Sequence, residues 1–542
     1  MDPLQHRRRR RLYVPALTAL LVGLAAGGAT AQEQPAPPAE APQAVAEAIA
    51  EVTAPGAEER PPIEKLSRPR PTRALLIAEQ RAIEARRAEA ARLARSRTVQ
   101  GALRRALLLR EIDQEEHDAM RRSWYRAGVA RQRLGGTRGA ELGTVLNQVR
   151  SLAQRRMLGP SRINAAILSV RRNAEVWTSR PMPRAGADVS FPRDDRVYRY
   201  IPGQGVQMHP LASFGVANAL ARACISTKKT CRERRLRRLL DDLLEVSVFR
   251  SGYRAWEYGY AFGTGSPPWV SGMAQGTAVQ AFARGARALD NRIYLDISRS
   301  ALGAFERRPP QGVSVGTGDR RRYVMYSFAP SQHILNGELQ AVAGIHDLVA
   351  FSGDGRARAL FERGERGVRA SVKDYDTGAW SLYSQGGAES NLHYHRFTTV
   401  QLRGLCRRTK QPAYCRAKHR FRDYQREPTA VRIGAVRGAW AGRASRIGFS
   451  VSKVGRVWVR VDGPGGRSFE RAMRLTRGRH SVTWTPPRRG TYTVRIDARG
   501  LSGPAGRTAM KVQVVHPKPK PKPKPKPKPK KKKPAKKTKA SS

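Results

Sequence analysis

The sequence predicts a mainly α-helical protein: an (α/α) toroid or barrel of paired helices, with an N-terminal helical region and a C-terminal immunoglobulin-like β-sandwich. Pairs of helical patterns recur from residue 181 to residue 427 without close sequence identity. In the later pairs the first helix opens on aromatic and polar residues, and the second is an ordinary amphipathic helix. Inner helices that line a cleft, clad by outer helices, would show this asymmetry. Near Pro428 the apolar period changes from helical to two, which indicates strands.

Length and charge limit the number of domains and the kinds of partner. A chain of 542 residues accommodates about three domains. The formal net charge of +59 suits nucleic acid, an anionic membrane or wall polymer, or an acidic polysaccharide. A genomic bias towards Arg and Ala is an alternative explanation for part of this charge.

Residues 1–31 have the organisation of a secretory signal peptide. A basic stretch ends at Arg11, an apolar run follows from Leu12 to Ala26, and Ala29-Thr30-Ala31 provides the cleavage site. The apolar run is shorter than the ~20 residues that span a bilayer, although a retained N-terminal anchor is the alternative. We therefore expect a secreted or wall-associated protein.

Between the signal peptide and the toroid, the sequence predicts a linker and a helical region. Residues 32–72 are rich in Pro, Ala and Glu and predict a disordered linker. Residues 73–180 predict helices, beginning with a solvated helix over 73–97. Amphipathic patterns follow over 101–131, 141–157 and 161–177.

The cysteines fit an oxidising compartment. Each local pair brackets a short link between two helical patterns, so Cys224–Cys231 and Cys406–Cys415 are the simplest of the three possible connectivities. Zinc binding is the rival interpretation, but the spacing is not C-x2-C. We predict two disulfides and no metal.

The C-terminal part divides into a β domain and a tail. Residues 428–515 alternate apolar and polar positions between Gly/Pro turns, as expected for a β-sandwich. Residues 516–542, in which Pro-Lys is repeated seven times from Pro517 to Lys530, predict a disordered tail. The tail is either an inert spacer or a tether to an anionic wall polymer.

Three segments at the starts of central helices carry groups that are unusual for a helical core. They read WVSGMAQG at residues 269–276, YSFAPSQHILNG at 326–337, and YDTG at 375–378 followed by WSLY at 380–383 and YH at 394–395. Loops on a rigid scaffold often carry function, so these segments are the candidate site.

In this order and spacing, the motifs resemble the C-terminal catalytic domain of the D-glucuronyl C5-epimerase family. The resemblance covers residues 260–424, with a fainter extension to 200–203. It implies an (α/α) barrel that inverts glucuronate to iduronate within an acidic polysaccharide such as a heparan precursor. It also implies an enzyme without a cofactor and without a specific nucleic-acid partner.

Epimerisation at C5 constrains the side chains of such a site. A weakly acidic proton beside a carboxylate leaves one face of the ring and another returns to the opposite face. The reaction therefore needs two acid/base groups and donors for the developing charge. Matching residue by residue, the resemblance implies catalysis by Tyr326, Tyr383 and Tyr394. The resemblance also implies that Gln275, Asn336 and His395 bind substrate or support the site. Trp269 is assigned to substrate binding with them, and Arg322 and Arg396 are assigned only because their charge suits the uronate.

Two positions depart from the family pattern. Met325 stands where animal members have Glu, and Thr398 stands where the family often has His. Either the tyrosines act alone, or Glu338 or Glu389 substitutes for the missing carboxylate, or activity is lost. A non-catalytic wall- or glycan-binding protein and a polysaccharide lyase are therefore alternative functions.

One loop before the first motif is crowded with aromatic residues. Its members are Tyr253, Trp256, Tyr258 and Tyr260. Such side chains stack on sugar rings in some binding sites and form the packed core of a loop in others.

Overall fold

The computed structural model describes residues 73–436 and 439–515. The predicted signal peptide, linker and Pro-Lys tail lie outside these residues. The N-terminal region is helical, as predicted, and its helices are α1 (Arg73–Leu93), α2 (Val99–Leu108), α3 (Gln114–Arg133), α4 (Gly136–Gln154) and α5 (Pro160–Ser179).

The single pattern predicted over residues 101–131 is two helices. The chain leaves α2 through Arg110, which has a φ of 56°. Asp113 then begins α3 with a capping box, because its side chain accepts from Glu116 N and the Glu116 side chain accepts from Asp113 N. These local hydrogen bonds begin a new helix, although the apolar periodicity of the sequence continues from α2 into α3.

The start of the predicted toroid is a small antiparallel sheet, which corrects the expectation of helix pairs throughout 181–427. Its strands are β1 (Asp188–Phe191), β2 (Asp194–Ile201) and β3 (Gly205–Met208). Gly203 and Gly205, at φ 74° and 79°, form the turn between β2 and β3. The buried Glu141 of α4 fixes this turn by accepting from Tyr200 Oη and from both glycine amides.

Four helix pairs follow the sheet, in two layers as predicted. They are α6 (Pro210–Ser226) with α7 (Glu233–Glu245), α8 (Gly272–Leu289) with α9 (Ile293–Ser300), α10 (Leu335–Ser352) with α11 (Gly355–Ser371), and α12 (Leu392–Thr409) with α13 (Pro412–Tyr424). The first helices pack side by side in the order α6, α8, α10, α12 and form the inner layer. Two hairpins, β4 (Val248–Arg250) with β5 (Tyr253–Ala255) and β6 (Ser314–Thr317) with β7 (Arg320–Tyr323), separate successive pairs.

Glycine allows the closest approach between inner helices. A Cβ on Gly276 would lie 2.4 Å from Ala341 Cα, and a Cβ on Gly344 would lie 1.9 Å from Gly276 O. The backbones of α8 and α10 therefore touch, which explains the second glycine of the WVSGMAQG segment. The predicted disulfides Cys224–Cys231 and Cys406–Cys415 are confirmed. The second joins α12 to α13, and the first joins α6 to the residues just before α7.

The C-terminal β domain consists of two antiparallel sheets. Its strands are β8 (Val431–Ile433), β9 (Ser445–Val451), β10 (Gly455–Gly463), β11 (Gly466–Leu475), β12 (Gly478–Trp484), β13 (Gly490–Gly500) and β14 (Gly506–Val514). One sheet has the order β11-β10-β13-β14 and the other β12-β9-β8. The inward residues of both sheets share one core around Val459, Trp484 and Val494. The predicted change to strand periodicity is confirmed, and the immunoglobulin-like topology stays a prediction.

Within residues 73–436 and 439–515, no helix has the length and apolar character needed to span a bilayer.

Candidate active site

The N-terminal ends of the inner helices meet the loops that carry the predicted site residues. Side chains cap three of these ends: His209 accepts from Ala212 N at 3.2 Å, Ser271 caps α8, and Asn391 accepts from Tyr394 N at 2.9 Å. Such caps hold the first turn and the preceding loop in a defined geometry. The Asn391 cap therefore fixes the backbone at Tyr394.

Three tyrosines come together at this end of the helical domain. Tyr326 lies after β7, Tyr383 lies in the loop between α11 and α12, and Tyr394 lies in the first turn of α12. Tyr383 hydrogen-bonds both Tyr326 and Tyr394, and its ring centroid is 4.9 Å from that of Tyr394 at an interplanar angle of 63°. Tyr383 thus links Tyr326 and Tyr394, the other two residues to which the resemblance assigns catalysis.

The three phenols are only partly exposed, and their pKa values reflect this. Burial raises the pKa of Tyr326, and the neighbouring Tyr394 adds to the increase. Burial, together with its two phenol neighbours, also raises the pKa of Tyr383. The pKa of Tyr394 is raised by burial, but a hydrogen bond from Tyr383 and the charge of Arg199 oppose the increase. Of the three, Tyr394 is the phenol whose deprotonation a nearby arginine favours.

Arg199 is the functional candidate that the sequence did not indicate. It lies on β2, where it pairs with Gln207 of β3, and Gln207 Oε1 would be 3.5 Å from a Cβ on Gly259. Arg199 is 4% exposed and is held by Asp188 at 2.8 Å. Its charge also acts on Tyr258 and Tyr260. Arg199 lies on a strand outside the three motif segments, so one arginine among many carried no signal.

The aromatic loop packs against the ring of Tyr326. Trp269 stacks on Tyr258 with centroids 4.1 Å apart and presents its edge to Tyr326 at 5.7 Å. Tyr326 also stacks on Phe328 at 5.3 Å. Trp269 and Tyr258 are 4% and 3% exposed, so this loop is a packed core and not an open platform for sugar rings. The same holds for the buried Tyr253, Trp256 and Tyr260.

Gln275 is bound to the same loop. It is fully buried, its Oε1 accepts from Trp256 N at 2.9 Å, and its Nε2 donates to Arg254 O at 3.3 Å. Both ends of the amide are therefore occupied by the backbone, and the structure gives Gln275 a positioning role.

Met325 lies in an apolar cluster with Met273 and Ile334, in contact with Tyr326 and Tyr383. Its Cε would be 2.9 Å from a Cβ on Gly337, at the start of α10. The thioether therefore packs closely under the tyrosines, where the family pattern has a carboxylate.

Arg322 and Glu338 form an ion pair with each other. Glu338 is fully buried and accepts from Arg322 Nε at 2.8 Å, and its other oxygen is 2.9 Å from His333 Nδ1. Arg322 also donates to Tyr375 Oη and to Gln385 Oε1. Glu338 is thus neutralised locally and does not replace the carboxylate missing at Met325.

Glu389 also has structural partners, and these belong to the β domain. Its Oε2 accepts from Arg477 N at 3.0 Å, and Val454 also hydrogen-bonds it. Burial raises the pKa of Glu389.

His395 is enclosed by structural partners. Its Nδ1 is 2.8 Å from Ser381 Oγ, its Nε2 is 2.7 Å from Phe421 O, and its ring stacks on Trp380 at 3.6 Å. Burial lowers the pKa of His395 to about 4, so it is neutral near pH 7. The exposed Arg396 turns to Gln425 and does not join the tyrosines.

Asn336 remains available as a polar group. It is 2% exposed, and its Oδ1 forms no hydrogen bond with any residue that the structure describes. Thr398, in the place of a family histidine, is buried on α12. Within residues 73–436 and 439–515, no group of His, Cys, Asp and Glu could hold a metal ion.

Comparison with known proteins relates one segment of the helical domain to a described family. Residues 250–423 match the family model of the D-glucuronyl C5-epimerase C-terminus. The matched segment contains all three site tyrosines.

Two individual proteins are also similar to parts of the chain. The uncharacterized protein MJ1128 of Methanocaldococcus jannaschii is 23% identical over 186 residues, which cover 33% of this chain and 60% of that relative. Among solved structures, the crystal structure of D-mannose isomerase matches with a TM-score of 0.31 and 12% identity, over 56% of this chain and 78% of that one.

Proposed function

We propose that this protein is an exported uronyl C5-epimerase that acts on glucuronate residues within an acidic polysaccharide. The observation that carries the proposal is the hydrogen-bonded set Tyr326–Tyr383–Tyr394, beside Arg199, inside the segment that matches the epimerase family model. Export is supported by the two disulfides, which persist in oxidising compartments.

The chemistry follows from the positions of these groups. The positive charge of Arg199 offsets the negative charge of the uronate carboxylate, which makes the adjacent C5 proton more acidic. Tyr394, as the phenolate that Arg199 favours, takes this proton. Tyr326 then donates a proton to the opposite face of C5. Tyr383 hydrogen-bonds both phenols and returns the proton from Tyr394 to Tyr326, so the enzyme ends in its starting state and no other reactant is consumed.

The test is exchange at C5 in heavy water. The full chain is incubated with an unsulfated glucuronate polymer of the heparan-precursor type, and the product is analysed by NMR. The proposal expects deuterium at C5 and iduronate signals without new ultraviolet absorbance. Exchange with an unsaturated product would identify a lyase, and the absence of both signals would refute catalysis on this polymer.

Met325 favours a second candidate, a glycan-binding protein that retains the cleft. An apolar thioether occupies the position of a family carboxylate, so proton transfer could have been lost while recognition was kept. Saturable binding of the same polymer, with no exchange at C5 over days, would support this function. The lysine-rich tail, which lies outside the described residues, would add a tether to an anionic wall polymer under either function.

A further inference from the structure

The outward face of the sheet β11-β10-β13-β14 carries a row of like charges. Arg456 of β10 pairs directly with Arg474 of β11 on one side and with Arg499 of β13 on the other. All three side chains are exposed. Because neighbouring strands are about 4.8 Å apart, the backbone positions that carry the three guanidinium groups lie within about 10 Å of one another.

No carboxylate of the described chain forms an ion pair with any of these three arginines. The acidic residues of the same face, Asp462, Glu470 and Asp497, are paired with other residues: Arg460, Arg467, Arg495 and Arg507. Like charges directly opposite one another destabilise a sheet. The row therefore reduces stability in the free protein, and an anion bound across it would remove the repulsion.

An aromatic ring accompanies the row. Trp458 follows on the same outward face and is partly exposed, and the guanidinium carbon of Arg456 lies 5.3 Å from the centroid of its ring. Exposed indole rings stack on flat apolar surfaces, and guanidinium groups form paired hydrogen bonds with carboxylates. The two side-chain types together suit a polymer that alternates sugar faces with acid groups.

The row adjoins the residues through which the β domain contacts the helical domain. Arg456 is two residues after Val454 and Arg499 is two residues before Leu501, and both apolar residues pack against the helical core. Arg474 is three residues before Arg477, whose amide binds Glu389. Glu389 pairs with Leu382, next to Tyr383. The row is thus continuous with the loop that carries a site tyrosine.

We propose that this face of the β domain binds an anionic polysaccharide, with Arg456, Arg474 and Arg499 holding its carboxylates and Trp458 contacting a sugar ring. The naming of a polysaccharide as the occupant rests on the proposed function, because charge alone would also suit nucleic acid or an anionic membrane. The bound chain continues from this face towards the tyrosines, so the β domain presents the substrate.

The test compares two triple substitutions in the full chain. In the row variant, Arg456→Gln, Arg474→Gln and Arg499→Gln are combined. The control combines Arg432→Gln, Arg446→Gln and Arg479→Gln, three exposed arginines of the opposite sheet. Ser450 or Thr483 stands opposite the control arginines, so they form no row. Both variants lose the same charge.

Binding is measured by calorimetry with the unsulfated glucuronate polymer at low and moderate salt. We expect affinity about tenfold weaker in the row variant and less than twofold weaker in the control, because exposed ion pairs contribute a factor of about 1.5 to 5 each. The row variant should also unfold at an equal or higher temperature at low salt, since it has lost repulsion. Equal losses in both variants would overturn the proposal.

The same binding measurements are repeated with single-stranded DNA of matched charge and with vesicles of an anionic phospholipid. If the row variant loses affinity for either one as strongly as for the glucuronate polymer, the surface is not a polysaccharide site. Binding is read without turnover. A selective loss in a chain that shows no C5 exchange would therefore support this surface and refute only the proposed function.

Discussion

Burial and charge act in opposite directions on the phenols of the candidate site. An ordinary tyrosine has a pKa of about 10, and burial raises the pKa of all three site tyrosines further. A base for C5 deprotonation requires the opposite effect. The charge of Arg199 lowers the pKa of Tyr394. An arginine on a strand outside the family motifs therefore contributes to the candidate site.

Replacing Tyr394 or Tyr326 by Phe should reduce C5 deuterium exchange about 10²–10⁴-fold, the usual contribution of an acid/base group. Phe keeps the ring and its packing and removes only the hydroxyl. NMR of the polymer in heavy water measures the rate, and Tyr125→Phe, at a residue that is 72% exposed, is the control. Wild-type exchange in both site variants would contradict the assignment.

The charge of Arg199 should be visible in the pH profile of exchange. Arg199→Gln removes a cation that lowers the pKa of Tyr394. The pKa of Tyr394 then rises, less phenolate is present at a given pH, and the ascending limb of the profile moves to higher pH. The exposed Arg193→Gln is the matched control. A lower rate with an unmoved profile would contradict the proposed effect of Arg199 on the pKa of Tyr394.

At the scale of elements, the inner helices have distinct ends. Their N-terminal ends face the tyrosine site, and near their C-terminal ends lie Arg222, Arg284, Asp347 and Arg408. Asp347 accepts from Arg284 at 2.7 Å and from Arg408 at 2.9 Å. Arginine near a helix C-terminus also offsets the partial negative charge of the helix dipole. This cluster therefore joins α8, α10 and α12 at the end remote from the chemistry.

Asp347→Asn should lower the free energy of unfolding by about 3–5 kcal/mol, because it leaves two buried guanidinium groups without their carboxylate. Burial alone would raise the pKa of Asp347, but Arg408 and Arg284 hold it well below its usual range. Its contribution is therefore present above the unfolded pKa of about 3.9 and is lost as the pH falls through the lower folded value.

Chemical denaturation at several pH values tests this expectation. The difference between wild type and Asp347→Asn should be constant near neutrality and should shrink as the pH falls below about 4. Asp296→Asn is the control, since Asp296 is exposed and its ion pair with Arg299 lies at the surface; such pairs contribute about 0–1 kcal/mol. Equal effects of both substitutions would show that the cluster adds little to stability.

At the scale of the whole molecule, the β domain is attached to the loop that carries Tyr383. The buried Lys453 donates to Tyr424 O at 2.7 Å and to Glu427 O at 2.8 Å, and it lies 5.6 Å from the Trp380 ring centroid. Glu389 binds Arg477 from the other side of the contact. The position of Tyr383 thus depends on a domain outside the segment that matches the family model.

Glu389→Ala should therefore slow C5 exchange about tenfold or more, since a displacement of about 1 Å at a catalytic group can cost 10²-fold. We expect the loss mainly in kcat, because Glu389 acts through the position of Tyr383 and its own carboxylate is held by the backbone of Arg477 and Val454. Glu389→Gln keeps an acceptor oxygen for the Arg477 amide and should retain most of the activity. If Ala and Gln behave alike, the loop holds Tyr383 without the β domain.

Much of this architecture could be predicted from local patterns. Apolar residues at helical spacing predicted the helix pairs, and the short spacings between cysteines predicted Cys224–Cys231 and Cys406–Cys415. The alternation after Pro428 predicted the β domain. These features depend on contacts between residues close in sequence, where a period of 3.6 or 2 determines which side chains share a face. The motifs also brought Tyr326, Tyr383 and Tyr394 into one hypothesis.

The remainder depended on contacts between distant segments. Arg199 acts on Tyr394 from β2, a strand in a region where the sequence predicted helix pairs. Gln275, Glu338 and Glu389 have side chains suited to binding or catalysis. In the folded protein, however, Gln275 binds the aromatic loop, Glu338 binds Arg322, and Glu389 binds the β domain. A residue type states what a side chain can do, whereas burial and distant partners decide which of those capacities remains free. For this protein, the sequence determined the set of chemical groups, and the tertiary structure decided which of them meet.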